Sequence, residues 1–331
     1  GSPAPADRIE EQVDRAAHEG FSGSVAILRD GAPLWSGGVG LADRERGIAN
    51  TPTTAFDCGS IMKVMTAAAI FRLEQDGMLS RASTLAELFD DVPPDKAEIT
   101  IDQILTHRAG FAEFHDTEGD FEAMDRPTAL ARIFAQELLF APGTAEAYSN
   151  SGYTLLAAIV EDASGLPFAD YLRARLFDPA KMDDTGLYGE GRWADGQAAI
   201  GYDEGVYGCN SPGCWPAPTW ALVGNGGLVS TVEDLLRWTV AVDDAVVLDA
   251  ATRDAYRDVV LDTRGITIDG EPAYAYSGRN DFGFGAAVGE VPGRATYVVV
   301  AANAAAHYND TALMAQLVQM SLGVLIELPE R

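Results

Sequence analysis

Lysine is the scarcest charged residue in this 331-residue chain, with Lys63, Lys96 and Lys181 the only three. Basic residues of both kinds number 23 against 50 acidic ones, a formal net charge of −27. Nucleic acid and anionic membranes both need a basic surface, so neither is expected as a partner. An acidic surface of this kind suits a highly soluble or salt-adapted protein. Long apolar runs are missing too. None reaches the roughly 20 residues of a membrane-spanning helix, so no membrane insertion is expected. The Gly1-Ser2 opening reads as an expression remnant, not a signal peptide.

Histidine is as sparse. His18, His107, His115 and His307 fall in no metal-binding spacing, which argues against a zinc hydrolase, and no metal or other cofactor is expected. At 331 residues the chain is too long for a disulfide-stapled mini-protein. Cys209 and Cys214 bracket the turn-forming Asn-Ser-Pro-Gly. They form either a short disulfide, which implies an oxidising compartment, or two small apolar fillers, and Cys58 is left as a lone buried thiol. Gly-x-Ser-x-Gly is absent, and with it the nucleophile elbow of the α/β-hydrolase fold.

What is present is a core. With 47% hydrophobic residues, the chain can build one large domain or two interleaved ones. The spacing predicts a helix over 7–18, a hairpin from strands at 24–28 and 33–36, and a helix from Ser60 to Asp76 ending at Gly77. Helical segments dominate to about 180, and a Gly, Pro and aromatic-rich stretch over 188–227 reads as long loops. A capping box at Ser230-Thr231-Val232-Glu233 opens another helix. Strands return at 282–289 and 297–301, and a last helix runs over 309–325. Strands at both ends but not in the middle predict an α+β fold. Residues 1–57 and 225–331 form one antiparallel sheet domain with helices, and 58–224 form a mostly helical insertion with long loops. A ligand cleft is expected between the two.

Three short motifs carry chemistry. Ser60-Ile61-Met62-Lys63 puts a hydroxyl and an amine one helical turn apart. In a water-poor site the amine can lose its charge and accept the serine proton, but the same spacing also suits two surface side chains. Tyr148-Ser149-Asn150 supplies a phenol, a proton shuttle if a nearby ammonium lowers its pKa. It also supplies an amide that either holds a lysine and a substrate together or caps the following helix. Tyr276-Ser277-Gly278-Arg279 leads towards a strand. It reads as a glycine that admits substrate to a strand edge, or as a plain glycine-rich turn.

Ser-x-x-Lys, Tyr-x-Asn and a third motif ending in glycine, in that order, resemble the penicillin-binding proteins and serine β-lactamases. The branch resembled is that of the class C β-lactamases, DD-peptidases and family VIII esterases. Leu105-Thr106-His107-Arg108-Ala109-Gly110, Phe177-Asp178-Pro179, Met182, Gly226-Gly227-Leu228-Val229-Ser230-Thr231 and Asn303 also fall where that family has their like. The resemblance implies a β-lactamase/transpeptidase-like fold and a serine hydrolase working through an acyl-enzyme on Ser60, with Lys63 and Tyr148 in proton transfer. It further implies that Asn150, Tyr276, Ser277, Gly278 and Arg279 bind substrate, the backbone N–H groups of Ser60 and Arg279 forming the oxyanion hole. His107 resembles a structural histidine holding a helix-end turn.

The departure is Tyr276, which stands where β-lactamases of this type carry the lysine of Lys-Thr-Gly. A phenol brings no full charge to an anionic substrate, a loss on the order of 1–2 kcal/mol. An esterase or D-amino-acid peptidase or amidase is therefore expected ahead of a true class C-like β-lactamase, with a non-catalytic ligand sensor as the remaining alternative. The expected partner is a small ester, amide or peptide, and the expected location is periplasmic or secreted. Trp193, Tyr202, Tyr207, Trp215 and Trp220 either wall an acyl pocket or pack the loops.

Overall fold

The computed structural model describes residues 4–202, 209–261, 266–268 and 270–323. Its centre is a five-stranded antiparallel sheet in the spatial order Tyr274–Arg279, Gly285–Val291, Thr296–Ala302, Gly23–Arg29, Ala32–Val39. Both faces are covered. Residues 285–302 therefore read as nearly unbroken apolar runs, and both strands in this stretch are buried along their whole length. Alternation along the strands divides the core. Val298 and Val300 pack with Val25, Ile27, Ile9, Leu313 and Leu317 beneath the terminal helices Pro5–His18 and Asp310–Leu322. Ala26 and Val299 face the opposite core, with Leu235 and Trp238 of the helix Val232–Asp243 and Ile61 and Met62 of the helix Ile61–Gln75.

The helix Ile61–Gln75 is buried nearly all round, which explains why its sequence lacks a polar face. It packs against the helix Asn150–Ser164 on one side and the edge strand Tyr274–Arg279 on another. A small three-stranded sheet of Gly186–Leu187, Leu228–Ser230 and Phe56–Asp57 lies at the junction and leads directly into the turn that carries Ser60.

Two local expectations change. The third motif itself lies on a strand, at the free edge of the sheet, and the next strand begins at Gly285 and not at 282. The cap of the helix Val232–Asp243 is Thr231, whose hydroxyl accepts the Asp234 N–H at 3.0 Å. Ser230, one residue earlier, turns inward to the Thr185 hydroxyl at 2.7 Å. Cys209 and Cys214 are disulfide-bonded with a Cα–Cα distance of 6.1 Å, and Cys58 is a buried free thiol. Tyr207 and the predicted end of the last helix at 325 lie outside the described residues.

Candidate active site

The turn before the helix Ile61–Gln75 fixes the first side chain. Asp57 Oδ1 accepts the Gly59 N–H at 2.6 Å, and Gly59 has φ +50°. A Cβ at Gly59 would lie 2.5 Å from Arg279 N, and one at Gly278 would lie 1.9 Å from the Cys58 carbonyl and 2.5 Å from Ser60 N. These two glycines let the edge strand press its backbone against the turn that carries Ser60.

Ser60 Oγ is the meeting point. The Lys63 ammonium donates to it at 3.0 Å and the Tyr148 hydroxyl donates to it at 2.7 Å. Lys63 also donates to the Asn225 carbonyl at 2.7 Å, and its Nζ lies 4.8 Å from the centre of the Tyr148 ring. Lys63 is 6% exposed and forms no ion pair among the described residues. Burial outweighs the attraction of Glu113 and Asp120 and pulls its pKa down to about 7. The amine is thus poised between charged and neutral at physiological pH. Burial raises the Tyr148 phenol instead, ahead of the lowering effect of its bond to Ser60. The expected depression of Tyr148 by a neighbouring ammonium does not occur. Its role in this arrangement is that of a proton-bearing phenol aimed at Ser60.

His107 accepts the Ser149 N–H at 3.1 Å through Nδ1, and its ring rests on Tyr148 with centroids 4.8 Å apart. Burial, then Lys63, lowers its pKa to about 4, so it stays neutral and holds the turn that presents Tyr148. Ser149 caps the following helix, its hydroxyl accepting the Gly152 N–H at 3.0 Å. Asn150 is therefore free of capping and lines the pocket beside Ser60. It does not hold Lys63, whose hydrogen bonds go to Ser60 and Asn225.

The third motif divides. Asn280 N–H bonds the Phe284 carbonyl at 3.1 Å, so the alternation of an antiparallel ladder makes Arg279 and Gly285 a non-bonded pair. The Arg279 N–H therefore points off the free edge, towards the Ser60 turn. The Ser60 N–H also has no hydrogen-bond partner among the described residues, and the two make a pair of donors at a helix N-terminus. The Arg279 side chain donates to Asp310 Oδ1 at 2.6 Å. Ser277 is exposed and does not line the pocket. Tyr276 does not line it either: its hydroxyl donates to the buried Glu290 at 2.7 Å. The assignment of Tyr276 and Ser277 side chains to substrate is corrected on these grounds.

The pocket holds about 270 Å³. Trp215 and Phe282, with ring centroids 5.4 Å apart, form its apolar wall together with Tyr188. Trp193, Tyr202 and Trp220 pack elsewhere; Trp193, for example, donates to the Asp184 carbonyl at 2.8 Å. A larger groove of about 510 Å³ runs between Trp35 and the helix Val232–Asp243 and shares no lining residue with the Ser60 pocket.

Sequence reasoning missed Asn225. Its side chain bonds Thr154 Oγ1 at 2.9 Å and the Ala221 carbonyl at 3.1 Å, which aims its own carbonyl at Lys63. Because the contribution is a backbone oxygen, no side-chain type advertises it. The only signal was the neighbouring glycine run, needed where a Cβ at Gly224 would lie 2.6 Å from the Tyr153 carbonyl.

The chain is 33% identical over 182 residues to the putative penicillin-binding protein PbpX of Bacillus subtilis (strain 168), covering 55% of this chain and 45% of that one. It is 30% identical over 279 residues to a D-aminopeptidase of Gluconobacter oxydans (strain 621H), covering 80% and 50%. The chain thus spans about half the length of the curated relatives it matches. Among solved structures, the octameric penicillin-binding protein homologue from Pyrococcus abyssi superposes with a TM-score of 0.82 at 22% identity, over 96% of this chain and 77% of that one, and shares the β-lactamase/transpeptidase-like fold. The family model described as Beta-lactamase matches residues 6–319, so the chain belongs to the beta-lactamase family.

Proposed function

We propose that this protein is a serine hydrolase acting through an acyl-enzyme on esters or on D-amino-acid peptides and amides. The observation that carries this reading is the single oxygen, Ser60 Oγ, held at 3.0 Å from Lys63 and 2.7 Å from Tyr148. In the neutral amine the lone pair of Lys63 accepts the Ser60 proton as Oγ bonds to the substrate carbonyl carbon. The N–H groups of Ser60 and Arg279 bind the oxyanion. As the leaving group departs, the proton held by Lys63 reaches it through the Tyr148 hydroxyl, and water then hydrolyses the ester on Ser60.

The cleft lies where a sheet half, residues 1–57 with 225–331, meets a helical half, residues 58–224. Tyr276 is engaged with Glu290 and Arg279 with Asp310, so no third-motif cation is left for a β-lactam carboxylate. That favours ester or peptide hydrolysis over β-lactam hydrolysis. The Cys209–Cys214 disulfide favours a periplasmic or secreted location. A fluorophosphonate probe followed by mass spectrometry is expected to mark Ser60, with short-chain esters cleaved faster than nitrocefin. Absence of any Ser60 adduct would refute the reading.

A further inference from the structure

The three rings that wall the Ser60 pocket are tied to one short turn, closed by the Cys209–Cys214 disulfide. Trp215 follows Cys214 directly, and the N–H groups of both residues donate to the Ser211 carbonyl, at 3.1 and 2.9 Å. Asn210, 5% exposed, donates through its side-chain amide to the Phe282 carbonyl at 2.7 Å and to the Gly201 carbonyl at 2.8 Å. The Pro212 carbonyl accepts the Gly189 N–H at 3.2 Å, one residue beyond Tyr188. Trp215, Phe282 and Tyr188 come from three separate segments, and the turn joins them.

The rings they bring form one aromatic surface. Trp215 meets Tyr188 edge-on with centroids 5.4 Å apart, and it meets Phe282 at 5.4 Å and Phe121 at 5.5 Å. Phe121 in turn stacks on Phe282 at 5.0 Å. Much of the remaining lining is polar, Asp57, Glu113, Asp120 and Asp281 included, so an apolar group in the substrate finds its broadest contact on these rings. Rings held at fixed angles favour another ring, through offset-stacked or edge-to-face contact, over an aliphatic group of equal size. Residues 209–215 belong to no helix or strand, so no backbone ladder fixes the turn. Its covalent closure removes conformations that would let the wall drift.

Tyr148 indicates which part of the substrate meets the wall. Its hydroxyl serves the leaving group. Its ring rests on His107, and no ring of the wall is in contact with it among the described residues. The wall therefore stands on the acyl side of the scissile bond.

Resting on the serine-hydrolase reading, we propose that the Cys209–Cys214 turn determines acyl specificity: by clamping Trp215, Phe282 and Tyr188 it makes the pocket select acyl groups that carry an aryl ring, such as arylacetyl esters or amides. Opening the disulfide frees the wall and leaves the chemistry at Ser60 in place, since neither cysteine lines the pocket.

The test compares three methyl esters, which share one leaving group: phenylacetate, cyclohexylacetate and butanoate. In the oxidised protein, kcat/KM for the phenylacetate exceeds that for the cyclohexylacetate by roughly three- to tenfold, the worth of an aromatic pair beyond its buried area. Dithiothreitol then delivers two electrons and two protons to the disulfide and is itself oxidised to its cyclic disulfide. Both bonded cysteines are exposed and Cys58 is already a thiol, so reduction acts on this one bond. On reduction the phenyl preference falls towards one, while butanoate turnover and fluorophosphonate labelling of Ser60 keep their rates. The double variant Cys209→Ser, Cys214→Ser behaves alike; if it does not fold, the reduced native chain decides. A phenyl preference absent from the oxidised protein, or unchanged by reduction, overturns the inference while Ser60 labelling keeps the hydrolase reading standing. Loss of that labelling on reduction also overturns it, since the disulfide would then support the fold and not the wall. If Ser60 of the oxidised protein takes no label at all, the hydrolase reading fails and this inference with it.

Discussion

Two buried cations sit within one core and have opposite surroundings. Lys63 is hydrogen-bonded to a hydroxyl and a backbone carbonyl and forms no ion pair among the described residues, Glu113 and Asp120 acting on it only through space. Arg257, 5% exposed, lies 3.1 Å from Asp243 and 3.7 Å from Glu290. Around it Tyr276 donates to Glu290 at 2.7 Å and Tyr297 to Asp243. Carboxylates hold a buried cation in its charged form, and the charge then serves structure. A buried amine offered only neutral oxygens is free to shed its proton, and that is what a base requires. The family's third-motif lysine position has moved from the first setting to the second: Tyr276 points into the Arg257–Glu290 cluster and away from Ser60.

The comparison can be broken by removing each cation in turn. The largest expected effect is on activity: Lys63→Met lowers kcat/KM on any cleaved ester by about 10³-fold or more, as loss of a member of a nucleophile–base pair does. An ester turned over equally well by both proteins would remove Lys63 from the chemistry. Next comes stability. Arg257→Met leaves the buried Glu290 and the half-buried Asp243 without their cation and is expected to cost about 3–5 kcal/mol. Urea unfolding checks it, and ester hydrolysis by the folded fraction remains, since Arg257 touches nothing at Ser60.

The smallest effect has the opposite sign. Lys63→Met is expected to stabilise the protein by roughly 1–2 kcal/mol, because it removes a buried charge that has no ion-pair partner among the described residues. The pH window follows from the shift in Lys63 from 10.5 to about 7. Between those values the unfolded chain binds the proton and the folded one does not, so wild-type stability rises with pH across the window. The advantage of Lys63→Met is therefore full below pH about 7 and shrinks as pH climbs towards 10.5. Thermal unfolding of both proteins at pH 6 and pH 9.5 measures it.

Much of this was legible in the sequence because local spacing decides it. Ser60 and Lys63 share one helix turn, and Tyr148 and Asn150 open another helix, so those positions follow from motifs alone. The scarcity of lysine singled out position 63 before any contact was known. Tyr276 was legible as a departure but not as a displaced side chain, since its destination depends on Glu290, fourteen residues away on the neighbouring strand. Asn225 escaped notice because it acts through its carbonyl. The pocket carboxylates come from four separate segments, and in a chain with 50 acidic residues no pattern distinguishes Asp57, Asp120 and Asp281 until the fold gathers them. Cys209 and Cys214 were readable as neighbours across a turn, but as a bond only once their geometry was known.

The account stands on the protonation state of one amine, and the shortage of lysine makes it directly measurable. In protein labelled with ¹³C at lysine Cε, three resonances are expected, and the one lost in Lys63→Met belongs to Lys63. Its chemical shift should titrate with a midpoint near pH 7, and kcat/KM for a neutral ester should rise through the same pH. A Lys63 resonance that stays in its ammonium position up to pH 10 would contradict the claim that this residue is the base.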